Sequence, residues 1–237
     1  TGGSSVLLAS KGVRAKAMKI AAFMLEADEA DLELADGHVQ VKQGSNRKLP
    51  LGALAARLDG IPGLPMPAGI SPGLAETAYF ETRQTTFACG TNVAEVDVDV
   101  DTGDVKIVRY VVAHDCGRLI NPMLVDGQIR GGVVHGIGNA LYERMIYDEG
   151  GQPLTTNYGE YLLPTAPEMP DIEITHTETP SERNPLGVKG AGEGGTIPAT
   201  ACIIAAIEDA LQPFGVSIQE HPVSPQRILE LLGRIER

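Results

Sequence analysis

Cysteine is scarce in this chain. The three cysteines, Cys89, Cys116 and Cys202, stand far apart and form no C-x-x-C. That spacing excludes a disulfide scaffold, a zinc ribbon and a ferredoxin-type cluster, and it fits a reducing, cytoplasmic compartment. Basic residues are outnumbered too: 19 Lys and Arg stand against 31 Asp and Glu, a net charge of −12. Nucleic-acid binding would then need a local basic stripe. The densest basic stretch, Lys11 to Lys19, is spaced instead like the wet face of a helix. No apolar run reaches the roughly 18–20 residues that a bilayer span needs, so transmembrane and secretory readings fall away. The opening Thr1-Gly2-Gly3-Ser4-Ser5 has no initiator methionine and no signal-like apolar core, which predicts a cut or processed piece of something longer.

What remains is an ordinary globular composition: 43% hydrophobic and 21% charged over 237 residues, enough for one large domain or two small lobes. Residues 12–26 place Val13, Ala17, Ile20, Ala21, Met24 and Leu25 at helical spacing, with Arg14, Lys16 and Lys19 opposite. Gly2 through Ser5 are expected just ahead of that helix. Leu32–Leu34 and His38–Val41 alternate around Asp36-Gly37, a hairpin pattern. Residues 50–58 read as a short helix, and the Pro/Gly-rich stretch 60–73 as linker or long loop. Residues 93–100 and 105–113 flank an Asp101-Thr102-Gly103-Asp104 turn as the clearest hairpin. Asn121-Pro122 opens a helix that carries Gly131, Gly132, Gly136 and Gly138; each interior glycine costs about 0.5–1 kcal/mol relative to alanine, which close packing or ligand approach would justify. Short strands broken by prolines are expected over 145–178, and helices over 196–211 and 225–235. Helices and antiparallel hairpins without βαβ regularity define an α+β class. The division expected is a small α+β lobe over 1–60, a linker or loop over 61–86, and a main α+β lobe over 87–237.

Two places suggest chemistry. Gly187-Val188-Lys189-Gly190-Ala191-Gly192-Glu193-Gly194-Gly195 contains G-x-G-x-x-G, but the residues before it, Thr179 to Pro185, cannot form the buried strand that a dinucleotide fold requires, and G-K-[ST] is absent. Glu193 reads in two ways. It is a carboxylate complementing the dipole of the helix that follows, or a general base beside a group that bare glycine backbone lets approach. Gln128 shares a helix face with Gly131, Gly132 and His135 by three- and four-residue steps. It is either a ligand contact or a solvent-facing residue on a closely packed helix. His135 reads as a packing histidine, and His114, Asp115 and Cys116 as structural residues before a turn.

Gly127-Gln128-Ile129-Arg130-Gly131-Gly132 and Gly187-Val188-Lys189-Gly190-Ala191-Gly192-Glu193 together carry a resemblance. So do Ala94-Glu95-Val96-Asp97-Val98-Asp99 with Thr102-Gly103, Asn121-Pro122, Tyr161-Leu162-Leu163-Pro164 and Asn184-Pro185-Leu186-Gly187, in that order. The chain resembles the C-terminal portion of the molybdenum-binding large subunit of the xanthine dehydrogenase / aldehyde oxidase / carbon monoxide dehydrogenase family. The resemblance implies a molybdopterin-type molybdenum cofactor and an oxidoreductase that oxidises a substrate C–H bond, or carbon monoxide, with oxygen derived from water. Glu193 matches the essential glutamate, Gln128 the glutamine that hydrogen-bonds the metal's oxo ligand, and Gly2, Gly3 and Ser4, with Ser5 beside them, the Gly/Ser stretch that touches the pterin. Many members have arginine where Ser5 stands. Lys189 and Gly192 fall within the same cofactor loop. The family supplies no protein ligand to the molybdenum. Iron–sulfur clusters and FAD are implied on partner chains, and the upstream half of the large subunit as a further partner, leaving the isolated chain inactive. The competing expectation is a cofactor-binding or assembly module without turnover.

Overall fold

The computed structural model describes residues 1–43, 46–59 and 69–236. They form two compact units, Thr1–Arg83 and Gln84–Arg237. The expected linker stretch 60–73 lies for the most part outside the described residues.

In the first unit, helix α1 (Gly2–Leu25) leads into a three-stranded antiparallel sheet, β1 (Leu32–Ala35), β2 (His38–Val41) and β3 (Lys48–Pro50), and then α2 (Leu51–Leu58). The hairpin lies where Asp36-Gly37 predicts it. Asp36 and Gly37 both have positive φ, 46° and 73°, as the favoured two-residue hairpin turn requires. Helix α1 starts ten residues earlier than expected, so Gly2 through Ser5 form its first turn instead of preceding it. Ser4 is buried there, and Val6 to Ala9 carry the apolar pattern on toward Ala17, Ile20, Ala21 and Leu25, which pack on Leu32, Val39, Leu54 and Leu58. Gly12 lies in the middle of α1. It is tolerated inside the helix because the Glu76 side chain crosses it so closely that a Cβ would lie 2.5 Å from its Cγ. Residues 71–80 are tied to the rest of this unit through Gly73 N–H to Leu58 O, Lys16 Nζ to Ser71 Oγ and Phe80 N–H to Ser5 Oγ.

The second unit is built on β4 (Cys89–Val98), β5 (Val105–Asp115) and β6 (Ile172–His176), with β5 central. β4 and β5 form the expected hairpin. β6 lies parallel to β5, reached through helix α3 (Pro122–Leu141), so the unit does contain one strand–helix–strand crossover that the residue pattern concealed. The prolines of 145–178 leave β6 as the only strand there; Tyr147 and Pro153 make an isolated bridge. Helices α4 (Thr196–Ala210) and α5 (Pro225–Leu231) complete the unit. Asn121 caps α3 by accepting the Leu124 amide, and Ser224 caps α5 by accepting that of Arg227, each with proline at the first helical position.

Ile129, Val133 and Ile137 of α3 and Ile203 and Ile207 of α4 are fully buried with Tyr110 and Val112 of β5. Burying each such aliphatic side chain stabilises the fold by about 1.5–3 kcal/mol. The glycines expected to share a face with Gln128 and His135 divide between two. Gly132 and Gly136 press against α4: a Cβ on Gly132 would lie 2.9 Å from Thr196 N, and one on Gly136 would overlap the Ala199 side chain. Gln128, Gly131 and His135 are exposed, so His135 is not the packing residue it had seemed. Contact between the helices is reciprocal. A Cβ on Gly195 would overlap Ile129 O and stand 3.0 Å from Val133 N, both backbone atoms that cannot swing away. Gly195→Ala is therefore expected to cost about 1–3 kcal/mol through overpacking, read as a lowered thermal midpoint of the full-length subunit. An unchanged midpoint would show that α4 can shift freely.

Candidate functional site

The glycine loop is docked along the segment that follows β5. Gly117 and Val188 make a bridge, Lys189 N–H donates to Cys116 O at 2.7 Å, and Arg118 N–H donates to Gly187 O at 3.0 Å. Asn184 staples the entry: its side chain donates to Val188 O at 2.8 Å and accepts from Val188 N–H at 3.1 Å. Gly117 has a φ of 72°, and a Cβ there would collide with Gly187 O. Glycine is required at that crossing.

Glu193 is exposed on the next turn. Its carbonyl accepts from the amides of Thr196 and Ile197, both at 3.1 Å, so its backbone opens α4. Its carboxylate makes no hydrogen bond or ion pair among the described residues, and the first turn of α4 has no acidic residue and no side-chain cap. Helix-end duty thus finds no contact to support it. A Cβ on Gly190 or Gly192 would meet nothing within 4 Å. The loop's open side is bare backbone.

Gln128 reaches this loop. Its Nε2 donates to Gly192 O at 2.7 Å, one residue before Glu193. Close packing at Gly132 and Gly195 places Gln128, one turn earlier on α3, within that reach. Lys189 turns away from Glu193. Its ammonium is 3.3 Å from Asp115 Oδ1 and also bonds the Thr179 hydroxyl. Asp115 further accepts from the Gly117 amide at 2.8 Å, the Thr179 amide at 3.3 Å and the Thr179 hydroxyl. Burial works to raise the Asp115 carboxyl, but these donors outweigh it and hold it well below the usual carboxylate range. Sequence reasoning took Asp115 as structural and missed that it anchors the lysine of the loop, because the two lie 74 residues apart.

Among the four Gly/Ser residues in the first unit, Gly2 and Gly3 are exposed and Ser4 is buried. The Ser5 hydroxyl accepts from Phe80 N–H at 3.0 Å. The N-terminus of α1 carries the backbone amides of Gly2, Gly3 and Ser4, and Thr1 makes no side-chain cap there. A groove of about 1210 Å³ in this unit is bordered by Phe23, Met24, Glu26, Arg57 and Leu58. No group of three or more His, Cys, Asp or Glu among the described residues could hold a metal directly.

A bare glycine loop with an unpaired carboxylate, fastened to a helix–sheet scaffold, is the arrangement of a cofactor-dependent enzyme domain. The chain belongs to the molybdopterin cofactor-binding domain family, whose match covers residues 1–170, and with it to the molybdenum-binding large subunits that include xanthine and carbon monoxide dehydrogenases. It is 40% identical over 229 residues to the nicotine 6-hydroxylase large subunit of Paenarthrobacter nicotinovorans, covering 96% of this chain and 28% of that protein. It is 35% identical to the carbon monoxide dehydrogenase large chain of Hydrogenophaga pseudoflava, covering 97% of this chain and 28% of that one. The solved carbon monoxide dehydrogenase from Oligotropha carboxidovorans superposes with a TM-score of 0.85 at 32% identity, over 98% of this chain and 29% of that chain. The chain thus spans just over a quarter of the length of these relatives. The family's cofactor is a molybdopterin-type molybdenum cofactor.

Proposed function

We infer that this chain is part of a molybdenum hydroxylase that oxidises a substrate C–H bond, or carbon monoxide, with oxygen derived from water, and that Glu193 is its general base. One observation carries the reading: the Glu193 carboxylate stands exposed and unpaired on a loop whose neighbouring glycines, Gly190 and Gly192, face open space. A general base needs an accessible lone pair within hydrogen-bond reach of the proton it takes.

In the main lobe, Gly192 leaves room for the cofactor, and Lys189 is held at the loop's base by its ion pair with Asp115. Gln128 fixes Gly192, and with it the position of Glu193; one amide N–H remains for the bound group. When bound, the cofactor supplies a Lewis acid and a two-electron acceptor. Glu193 takes and later returns the proton of the reacting oxygen. Electrons leave through iron–sulfur clusters and FAD on partner chains. The cysteines support that division, since Cys89 is exposed, Cys116 buried and Cys202 half-buried, with none paired. No helix among the described residues is long and apolar enough to cross a membrane.

The test is to purify the full-length subunit with its partner chains and measure molybdenum, pterin and product made in ¹⁸O-labelled water. Stoichiometric cofactor with the label in the product is the expected result. Full cofactor content with no turnover across N-heterocycles, aldehydes, purines and carbon monoxide would overturn it in favour of a storage or assembly module.

A further inference from the structure

His114 ends the buried face of β5, in phase with Tyr110 and Val112, and is 2% exposed. Neither ring nitrogen has a hydrogen-bond partner among the described residues. A buried imidazole left this way forgoes bonds worth about 1–3 kcal/mol, so its retention calls for a reason. The ring lies directly beneath the glycine loop: a Cβ on Gly194 would overlap His114 Nε2 and stand 3.0 Å from Cδ2 and 3.3 Å from Cε1. Gly194 is bonded covalently to Glu193. Beside it, in register on β6, is His176, whose ring centroid is 6.1 Å away at 82°. His176 Nε2 is 2.6 Å from Asp126 Oδ1 on α3, two residues before Gln128, and its Nδ1 is buried without a partner.

We propose that His114 is a positioning residue for Glu193: its uncharged ring is the floor on which Gly194 rests, complementing the hold of Gln128 on Gly192 from the other side. The loop is thereby fixed on both flanks of the carboxylate. The floor works only while the ring is neutral. The charged or titratable groups around it are Asp115 on its own strand, His176 on β6, Asp126 beyond His176, Lys189 beyond Asp115, and Glu193 above Gly194. Asp115 and Asp126 are already engaged, by Lys189 and Thr179 and by His176 respectively. Burial, seconded by His176, therefore holds the His114 ring below its ordinary value near 6.5 against the opposing pull of Asp115. An imidazolium there would need water, and the thinnest cover over it is the side-chain-free loop. Protonation then opens the loop and displaces Glu193.

The effect on turnover rests on Glu193 being the base; the effect on the loop does not. The experiment follows both in the full-length subunit with its partner chains. Hydrogen exchange of peptides spanning 186–197, corrected for the intrinsic pH dependence of exchange, is compared for wild type, His114→Phe and His114→Ala. Wild type should lose protection in 190–195 as pH falls below about 6.5. His114→Phe, which keeps a flat ring and cannot titrate, should keep that protection as pH falls. His114→Ala should expose the loop at every pH and lower kcat by up to about 10²-fold, the cost of a misplaced group, with molybdenum content unchanged. His114→Gln, neutral throughout, replaces the phenylalanine variant if that one fails to assemble. Acid-induced exchange that is the same in wild type and in the non-titrating variant would overturn the proposal. So would protection of 190–195 that His114→Ala leaves untouched. A loop that responds as expected while kcat stays level would support the positioning and remove Glu193 from the reaction.

Discussion

Glu193→Gln, introduced into the full-length subunit assembled with its partners, is expected to lower turnover by about 10²–10⁴-fold, the usual contribution of a positioned acid–base group. Molybdenum and pterin content should not change, because the loop is held by Gln128, Asn184 and Lys189 and not by this carboxylate. Stability should move by no more than about 0.5 kcal/mol, as for an exposed substitution away from caps and cores. The Glu193 side chain makes no internal bond to lose, and the backbone carbonyl that opens α4 is the same in both residues. Rate constant, metal content and thermal midpoint measured on one preparation separate the roles. A lowered midpoint with the rate retained would return Glu193 to the helix-end role.

The elements that sequence reasoning located best were those with a local cause. Asp36-Gly37 requires positive φ at two successive residues, and the hairpin formed around it. Asn121-Pro122 and Ser224-Pro225 are a capping side chain followed by a preset φ, and a helix starts at each. Pairings set by distant residues were concealed. β6 looks like one more proline-bounded strand; its parallel place beside β5 depends on α3 crossing the sheet and burying Ile129, Val133 and Ile137. The Gly-rich α3 shows the same division. Helical steps grouped Gln128 with Gly131, Gly132 and His135, but they could not say that Gly132 and Gly136 face α4 while Gly131 faces out, since the boundary between the two faces is drawn by α4 itself.

The site follows this rule as well. Glu193 and Gln128 are legible because they stand among glycines, where a lone functional side chain is conspicuous. Lys189 is legible only as a member of the loop, and its actual partner is found 74 residues upstream. His114 carries no local mark at all. In sequence it reads as a structural residue before a turn; in the fold it is a buried ring whose two nitrogens have no partner among the described residues.

Asp115→Ala should produce the largest loss of stability of any single change in this region, about 3–5 kcal/mol, because it leaves one member of a buried ion pair behind. The Lys189 side chain is 14% exposed and that of Asp115 5%, so the stranded ammonium cannot reach water without pulling the loop open. The Thr179 hydroxyl and the amides of Gly117 and Thr179 lose their acceptor as well. Asp115→Asn keeps the volume and one acceptor oxygen and should cost less, which makes it the variant for a pH series. The Asp115 carboxyl is held below its ordinary value in the folded chain, so as pH falls the unfolded chain binds this proton first. Its stabilisation is therefore complete above about pH 4, the ordinary carboxylate value, and fades as pH drops toward the depressed native value. Thermal midpoints of wild type and Asp115→Asn should differ most above pH 4 and converge in stronger acid, as the native carboxylate gains its proton. Parallel curves across that range would mean that the Asp115 charge contributes nothing. The loop would then be held by Asn184, Gln128 and the backbone bonds to Cys116 and Gly187 alone.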